Sequence, residues 1–413
     1  MPRLAAPPCD PAPSFAYVPS LDGIRAVSVG LVVASHLGLG SFVPGGLGVT
    51  IFFFISGFLI TRQLLAERAG TGRVRIGAFY VRRALRLYPA LLAMVAVGGA
   101  LFAALGGLIT AGQVAAALLY YANYYFYGGG FETGLPDTFH PFSILWSLAV
   151  EEHFYLCFPL LVVLLADNRL RFCRLLAAAI VAVGLWRWHV AIACHADALA
   201  CLGGVPEDRV VRATDTRVDS IFFGALLATL VDTRLGPAAL RLLRTPAAAA
   251  AAGVLLLLSL AVRDPLFRDS FRFSLQGVAL MLGVGGVLFS PRMGWVRRLL
   301  SAEPAVLLGR WSYSLYLWHW IVLVLASAAF PAAIGRPVTQ DTGFSLDWFL
   351  LVAPVLLALS LAASCASYYG IEQPMVRLRR RFGAHAVADR VEARDAEAFA
   401  SLVVTAPDQG RAI

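Results

Sequence analysis

The chain has 413 residues, of which 59% are hydrophobic and 14% charged, and its mean hydropathy is +0.74. Soluble domains carry about 25% charged residues, so a water-soluble globule is excluded and the chain reads as a membrane protein. The net charge of +9 does not signal nucleic acid, because the 34 basic residues are all arginines and lie between apolar stretches instead of forming one patch.

Residues 1–20 are proline-rich and have no apolar core, so they make neither a cleaved signal peptide nor a helix and read as a disordered cytoplasmic tail. The first apolar segment has no small-residue cleavage site after it and is expected to be an uncleaved signal anchor. A spanning helix needs about 20 mostly apolar residues. Segments near that requirement fall at 23–42, 46–66, 87–109, 113–127, 143–166, 174–193, 216–232, 246–263, 273–291, 305–330 and 346–370. The segment at 113–127 is short and tyrosine-rich, which suits an interfacial or re-entrant piece better than a crossing.

The arginines decide the count. With ten spans, leaving out 113–127, 26 of the 34 arginines lie on the side that holds both termini. Eleven spans would scatter them over both faces, against the positive-inside rule. The expected fold is therefore all-α, a polytopic transmembrane helical bundle of about ten spans with both termini cytoplasmic, in the cell inner (plasma) membrane. Residues 21–376 form the transmembrane domain and 377–413 a polar cytoplasmic tail. The six cysteines lack the close pairs of a zinc or redox site, so no metal is implied. Only Cys194 and Cys201, in an outer loop, are placed to pair.

Ionisable residues inside spans are costly, by roughly 2.5–3.5 kcal/mol for Arg or Asp at a span centre, and point to function. Arg25 and His36 lie on the first span, roughly 16 Å apart at about 1.5 Å per residue, so His36 sits at or beyond mid-membrane. A second group, Glu151 and Glu152, lies about two turns into a span entering from outside, and Asp219 enters from the same face. A carboxylate and an imidazole in one dry bundle are what proton transfer requires. The plainer readings are a snorkelling Arg25, a His36 that caps a helix contact, and ion pairing such as Arg217 with Asp219. On the cytoplasmic side, Arg83 and Arg86 are three apart and share a helix face, suited to phosphate or to topology alone. Ser56 beside Gly57 reads as helix packing, since a nucleophile would need an adjacent base. His319, among aromatics, reads as packing or a local hydrogen bond, with a second functional histidine as the alternative.

The segments LDGIRAVSVGLVVASH, GGLGVTIFFFISGFLIT, FYVRRALRLYPAL, WSLAVEEHFYL, TRVDSIFFGALLA, SYSLYLWHW and IEQP, in that order from Leu21 to Pro374, resemble the acyltransferase type 3 family of integral membrane O-acyltransferases. The resemblance implies a ten-helix domain that takes an acyl group, expected to be acetyl, from cytoplasmic acyl-CoA to a hydroxyl. The implied acceptor is a carbohydrate, a glycolipid or a glycosylated small molecule. The family's Arg-x10-His pair matches Arg25 and His36, its Arg-x-x-Arg pair matches Arg83 and Arg86, and its paired glutamates match Glu151 and Glu152. His153 departs from the expected glutamine, which bears on the acceptor side. Some members carry a further C-terminal esterase-like domain, and this chain is expected to lack one.

A CoA thioester is already activated, so transfer needs a phosphate anchor, a base and oxyanion stabilisation. The expectation is that Arg83 and Arg86, with Arg25, hold the donor. His36 acts as general base, oriented by Glu152 or Glu151, or carries the acyl group covalently. The competing reading is a proton-coupled transporter or flippase of a glycosylated or acidic solute, with the same groups as a proton path. A noncatalytic membrane partner is the third. Inverted repeats would favour the transporter, and none is visible in the sequence.

Overall fold

The computed structural model describes residues 17–127, 130–135, 138–197, 206–330 and 348–379. Most of the two expected tails, and Cys201, lie outside the described residues. Cys194 is disulfide-bonded. Every regular element among the described residues is helical. An apolar medium favours this, because a helix satisfies its backbone hydrogen bonds within one segment.

Eight of these helices are long and apolar enough to cross a membrane: α1 (Pro19–Leu39), α2 (Gly45–Thr71), α3 (Ile76–Ala104), α4 (Ser143–Leu165), α5 (Arg169–Ala196), α8 (Phe271–Phe289), α9 (Glu303–Ala329) and α10 (Trp348–Val376). Between them lie two shorter apolar helices where the sequence expects spans. α6 (Asp219–Leu230) has 12 residues, and α7 (Pro246–Ala261) has 16 and meets Gly236–Leu243 at a 73° bend. The tyrosine-rich segment forms only Ala111–Leu118 and Ala122–Tyr127, parted at Tyr120, whose φ of 55° is left-handed. Neither piece exceeds roughly 12 Å at about 1.5 Å per residue, too short to cross.

The boundary that departs furthest from expectation is the start of α3. α3 begins at Ile76, eleven residues before the expected 87, because its arginines are housed and do not end the helix. Arg82 pairs with Glu67 at 3.2 Å, and the Arg83 guanidinium lies 3.7 Å from the centre of the Tyr155 ring.

Basic connections gather at one end of the bundle. Arg62, late in α2, donates to both carboxylate oxygens of Asp232 after α6. Arg68 binds Asp167 in the α4–α5 turn at 2.5 Å, and Arg244 caps the end of α8 through the Phe289 carbonyl. Arg310 of α9 donates to Tyr17 beside the start of α1. The helices alternate in direction accordingly. α1 and α9 run parallel, with Asp22 beside Gly309 at the basic end and His36 beside His319 at the other.

Glycines set the closest crossings. A methyl group on Gly57 of α2 would lie 1.9 Å from the Ile221 carbonyl oxygen, and one on Gly224 of α6 would lie 1.8 Å from that of Phe54. The Ser56–Gly57 step is thus a site of backbone contact between α2 and α6, the packing role that small residues have in lipid.

Candidate active site

His36 stands in the last turn of α1, where the helix widens to a π-turn over Ser35–Leu39 and Gly38 takes a φ of 100°. The chain leaves α1 here because Trp348 of α10 donates from Nε1 to the Leu37 carbonyl at 2.9 Å. A side chain at position 38 would also strike that indole at 2.7 Å. Only glycine suits both the left-handed φ and the close approach.

The His36 ring faces into the bundle. Its Nδ1 lies 3.0 Å from Nε2 of the fully buried His319, with ring planes within 8° of each other. Trp320 also packs against the His36 ring, 4.9 Å between ring centres. His319 Nδ1 is 2.8 Å from the Leu315 carbonyl oxygen. A carbonyl only accepts, so His319 Nδ1 carries a proton and, in the neutral ring, its Nε2 is an acceptor. His36 must then donate from Nδ1, which leaves its Nε2 as a bare lone pair. The chain Leu315 carbonyl, His319, His36 therefore fixes the tautomer a general base needs.

The carboxylates lie elsewhere. Glu151 accepts from Ser56 Oγ at 2.6 Å, so the serine does have an acidic neighbour and spends its proton on it. Arg83, Arg25 and Arg86 are all within electrostatic range of Glu151, and Arg83 is the cation acting on Glu152. The hydrogen bonds that are formed join Glu151 to Ser56 and His36 to His319, and the charged group acting on His36 is Arg212. Tyr316 bridges the two regions: it donates to the Ile144 carbonyl at 3.0 Å, lies 2.5 Å from Ser147 Oγ, and feels both Glu151 and Arg212.

Arg25 and Arg86 converge nearer the basic end, where both act on Glu372 of the IEQP segment. Arg25 also pairs with Asp22 at 3.6 Å. Glu372 accepts from Ser314, which lies 3.0 Å from Ser367 Oγ. Arg83 and Arg86 thus both act on Glu151, while Arg83 also acts on Glu152 and Arg86 on Glu372. Polar groups succeed one another from Arg25, Arg86 and Glu372, through Arg83, Glu151 and Glu152, to Tyr316 and then to His36, His319 and Arg212. Among the described residues no group of three or more His, Cys, Asp or Glu could hold a metal ion.

At the end opposite the basic one, His153 Nδ1 is 2.7 Å from Thr214 Oγ1, which also accepts from Asn123 at 2.9 Å. The neighbouring Asp215 accepts from Arg209 at 2.6 Å and Trp186 at 2.7 Å. Burial opposes the charge on Asp215, but these hydrogen bonds outweigh it and hold the carboxyl below its usual range. Asp219 pairs with Arg187, not Arg217, at 2.7 Å, and both side chains are fully buried. Arg217 instead lies 3.7 Å from the centre of the Phe273 ring and donates to Thr50.

Sequence reasoning left His319 undecided and missed Tyr316 and Arg212. The placement of His319 and Tyr316 on one stretch of α9, SYSLYLWHW, was the available signal.

A family profile described as an acyltransferase domain matches residues 18–369. A Staphylococcus aureus (strain COL) protein named as a candidate O-acetyltransferase is 30% identical over 318 residues, 74% of this chain and 51% of its own. The peptidoglycan O-acetyltransferase OatA of Listeria monocytogenes is 30% identical over 325 residues, 75% of this chain and 50% of its own. YrhL of Bacillus subtilis (strain 168), named as a candidate peptidoglycan O-acetyltransferase, is 32% identical over 379 residues, 87% of this chain and 55% of its own. The chain spans about half the length of these curated relatives, and no solved structure matches it. With the profile matched across all the main helices, the chain belongs to the acyltransferase type 3 family.

Proposed function

We propose that the protein is a multi-pass inner-membrane O-acyltransferase that moves an acetyl group from acetyl-CoA, arriving at the basic, cytoplasmic end, to a hydroxyl of a carbohydrate acceptor. The observation that carries this reading is the contact of His36 Nδ1 with His319 Nε2, whose far nitrogen meets the Leu315 carbonyl, an arrangement that leaves His36 Nε2 to accept a proton. The names of the relatives support acetyl as the group and a wall glycan as the acceptor.

In this reading His36 Nε2 takes the hydroxyl proton as the acceptor oxygen attacks the thioester carbonyl. Arg212, the charge acting on His36, offsets the oxyanion of the tetrahedral intermediate. Collapse breaks the carbon–sulfur bond, and the thiolate of CoA leaves with the proton held by His36. Arg25 and Arg86 sit closest to the end where phosphates arrive and serve the donor. Arg83, held with Glu151 and Glu152, shapes the polar passage between.

Radiolabelled acetyl-CoA given to protein in sealed vesicles tests the reading. Label on an acceptor glycan is expected. Movement of a solute across the vesicle wall with no label transferred would select the transporter instead.

A further inference from the structure

At the basic end, Arg62 and Arg68 are each occupied. Arg62 Nη1 donates to the Asp232 oxygens at 2.7 and 2.8 Å. Arg68 holds Asp167 at 2.5 Å and the Val162 and Val163 carbonyls at 2.6 and 2.7 Å. Beside them is a hollow of about 350 Å³ lined by Asn168, Leu170, Arg171, Arg174 and Arg234. Its three arginines are exposed, and none forms an ion pair among the described residues. The two aspartates that could serve them, Asp167 and Asp232, are already taken by Arg68 and Arg62.

The wall of the hollow adds to its positive character. Asn168 Oδ1 accepts the Arg171 backbone N–H at 3.0 Å and starts the 28-residue α5, whose first turn presents the positive end of the helix dipole. Arg171 and Arg174 are three apart on α5 and share a face, while Arg234 approaches from the connection after α6. Arginines that serve topology alone need only lie on the right side of the membrane. Three exposed guanidinium groups around one concavity, with none in an ion pair among the described residues, present a locally positive surface, and planar guanidinium forks suit phosphate oxygens.

We propose that this hollow is a binding site for a phosphate oxyanion, held by Arg171, Arg174 and Arg234. It lies at the end of the spanning helices, at the level of lipid headgroups, where basic pockets take anionic phospholipid. The phosphates of a soluble nucleotide offer the same chemistry. The hollow shares the basic end with Arg25 and Arg86, is lined by other arginines, and is far from His36: Arg62 is seventeen residues along α2 from Gly45, roughly 26 Å from the His36 end of the bundle at about 1.5 Å per residue.

The test uses the full chain in nanodiscs, as wild type, Arg171→Gln/Arg174→Gln/Arg234→Gln, Arg234→Gln alone, and Arg241→Gln as an exposed basic control outside the hollow. Native mass spectrometry reads retained phosphatidylglycerol against phosphatidylcholine, and calorimetry reads 3′,5′-ADP and inorganic phosphate. The expected result is at least tenfold weaker binding of phosphatidylglycerol or of the soluble phosphates in the triple variant, a smaller loss in Arg234→Gln, and no change in Arg241→Gln. Which ligand is lost identifies the source. If the triple variant misfolds, Arg234→Gln, outside any span, carries the test. Equal loss in Arg241→Gln, or no loss of either ligand class in the hollow variants, would overturn the proposal.

Discussion

The Nδ1 of His36 and the Nε2 of His319 lie 3.0 Å apart across 283 residues of sequence, with the far nitrogen of His319 on the Leu315 carbonyl. The pair gives His36 a donor on one side and a lone pair on the other without any buried charge. A neutral partner suits this depth, because an ionised carboxylate there carries a large desolvation penalty.

His319→Ala removes the acceptor that sets the His36 tautomer. Misplacing a general base forfeits part of its 10²–10⁴-fold effect, so kcat should fall by about 10²-fold with the donor KM unchanged. His319→Gln, whose amide oxygen can still accept from His36 Nδ1, should recover part of that loss. Equal defects in both variants would reduce His319 to a packing residue.

Arg83 and Arg86 should separate by phenotype. Arg83→Ala strips Glu152 of its cation and Tyr155 of the guanidinium above it, which should lower stability by about 1–2 kcal/mol, the worth of a buried cation–π contact. Arg86→Ala, from the group around Glu372, should raise the donor KM and leave the saturated rate nearly intact. Thermal melts and steady-state kinetics on both variants check this. A normal melt and a raised KM in Arg83→Ala would return it to the donor site.

Gly224→Ala drives a methyl group into the Phe54 carbonyl at 1.8 Å. The two helices must move apart, a destabilisation of about 1–3 kcal/mol for overpacking, read as a lower melting temperature in detergent. The same substitution at Gly253, which meets nothing within 4 Å, should leave the melt unchanged. Equal melts for the two variants would contradict the α2–α6 contact.

Asp215 supplies a pH signature. Its folded pKa lies below the unfolded value, held there against burial by Arg209 and Trp186. Its contribution is therefore fully present above about pH 3.9, the unfolded carboxylate value, and is lost as pH falls through the folded value. The side chain is 36% exposed, so solvent screening limits the effect of Asp215→Asn at neutral pH to about 1 kcal/mol or less. Melts of variant and wild type should converge in acid. A gap that persists there would show that the carboxylate charge is not what stabilises this corner.

Much of this arrangement was legible in the sequence. Apolar length alone placed the eight long helices, and the arginine distribution anticipated the basic end. The position of His36 within the apolar stretch of α1 marked it, since an ionisable side chain inside a span needs a partner. The identity of that partner was not legible, because the register of α1 against α9 is set by the close approach of Gly309 to the Asp22 carbonyl. The early start of α3 was hidden for a similar reason: Glu67 and Tyr155, from two other helices, house its arginines. The Arg187–Asp219 pair likewise joins residues 32 apart, where local spacing favoured Arg217.

Proton transfer from the acceptor to His36 Nε2 is tested by single-turnover acetyl transfer by His36→Ala in nanodiscs at saturating acetyl-CoA. A loss of at least about 10²-fold is expected, with an unchanged melting temperature and unchanged donor binding. Transfer at the wild-type rate in a folded His36→Ala protein would contradict it.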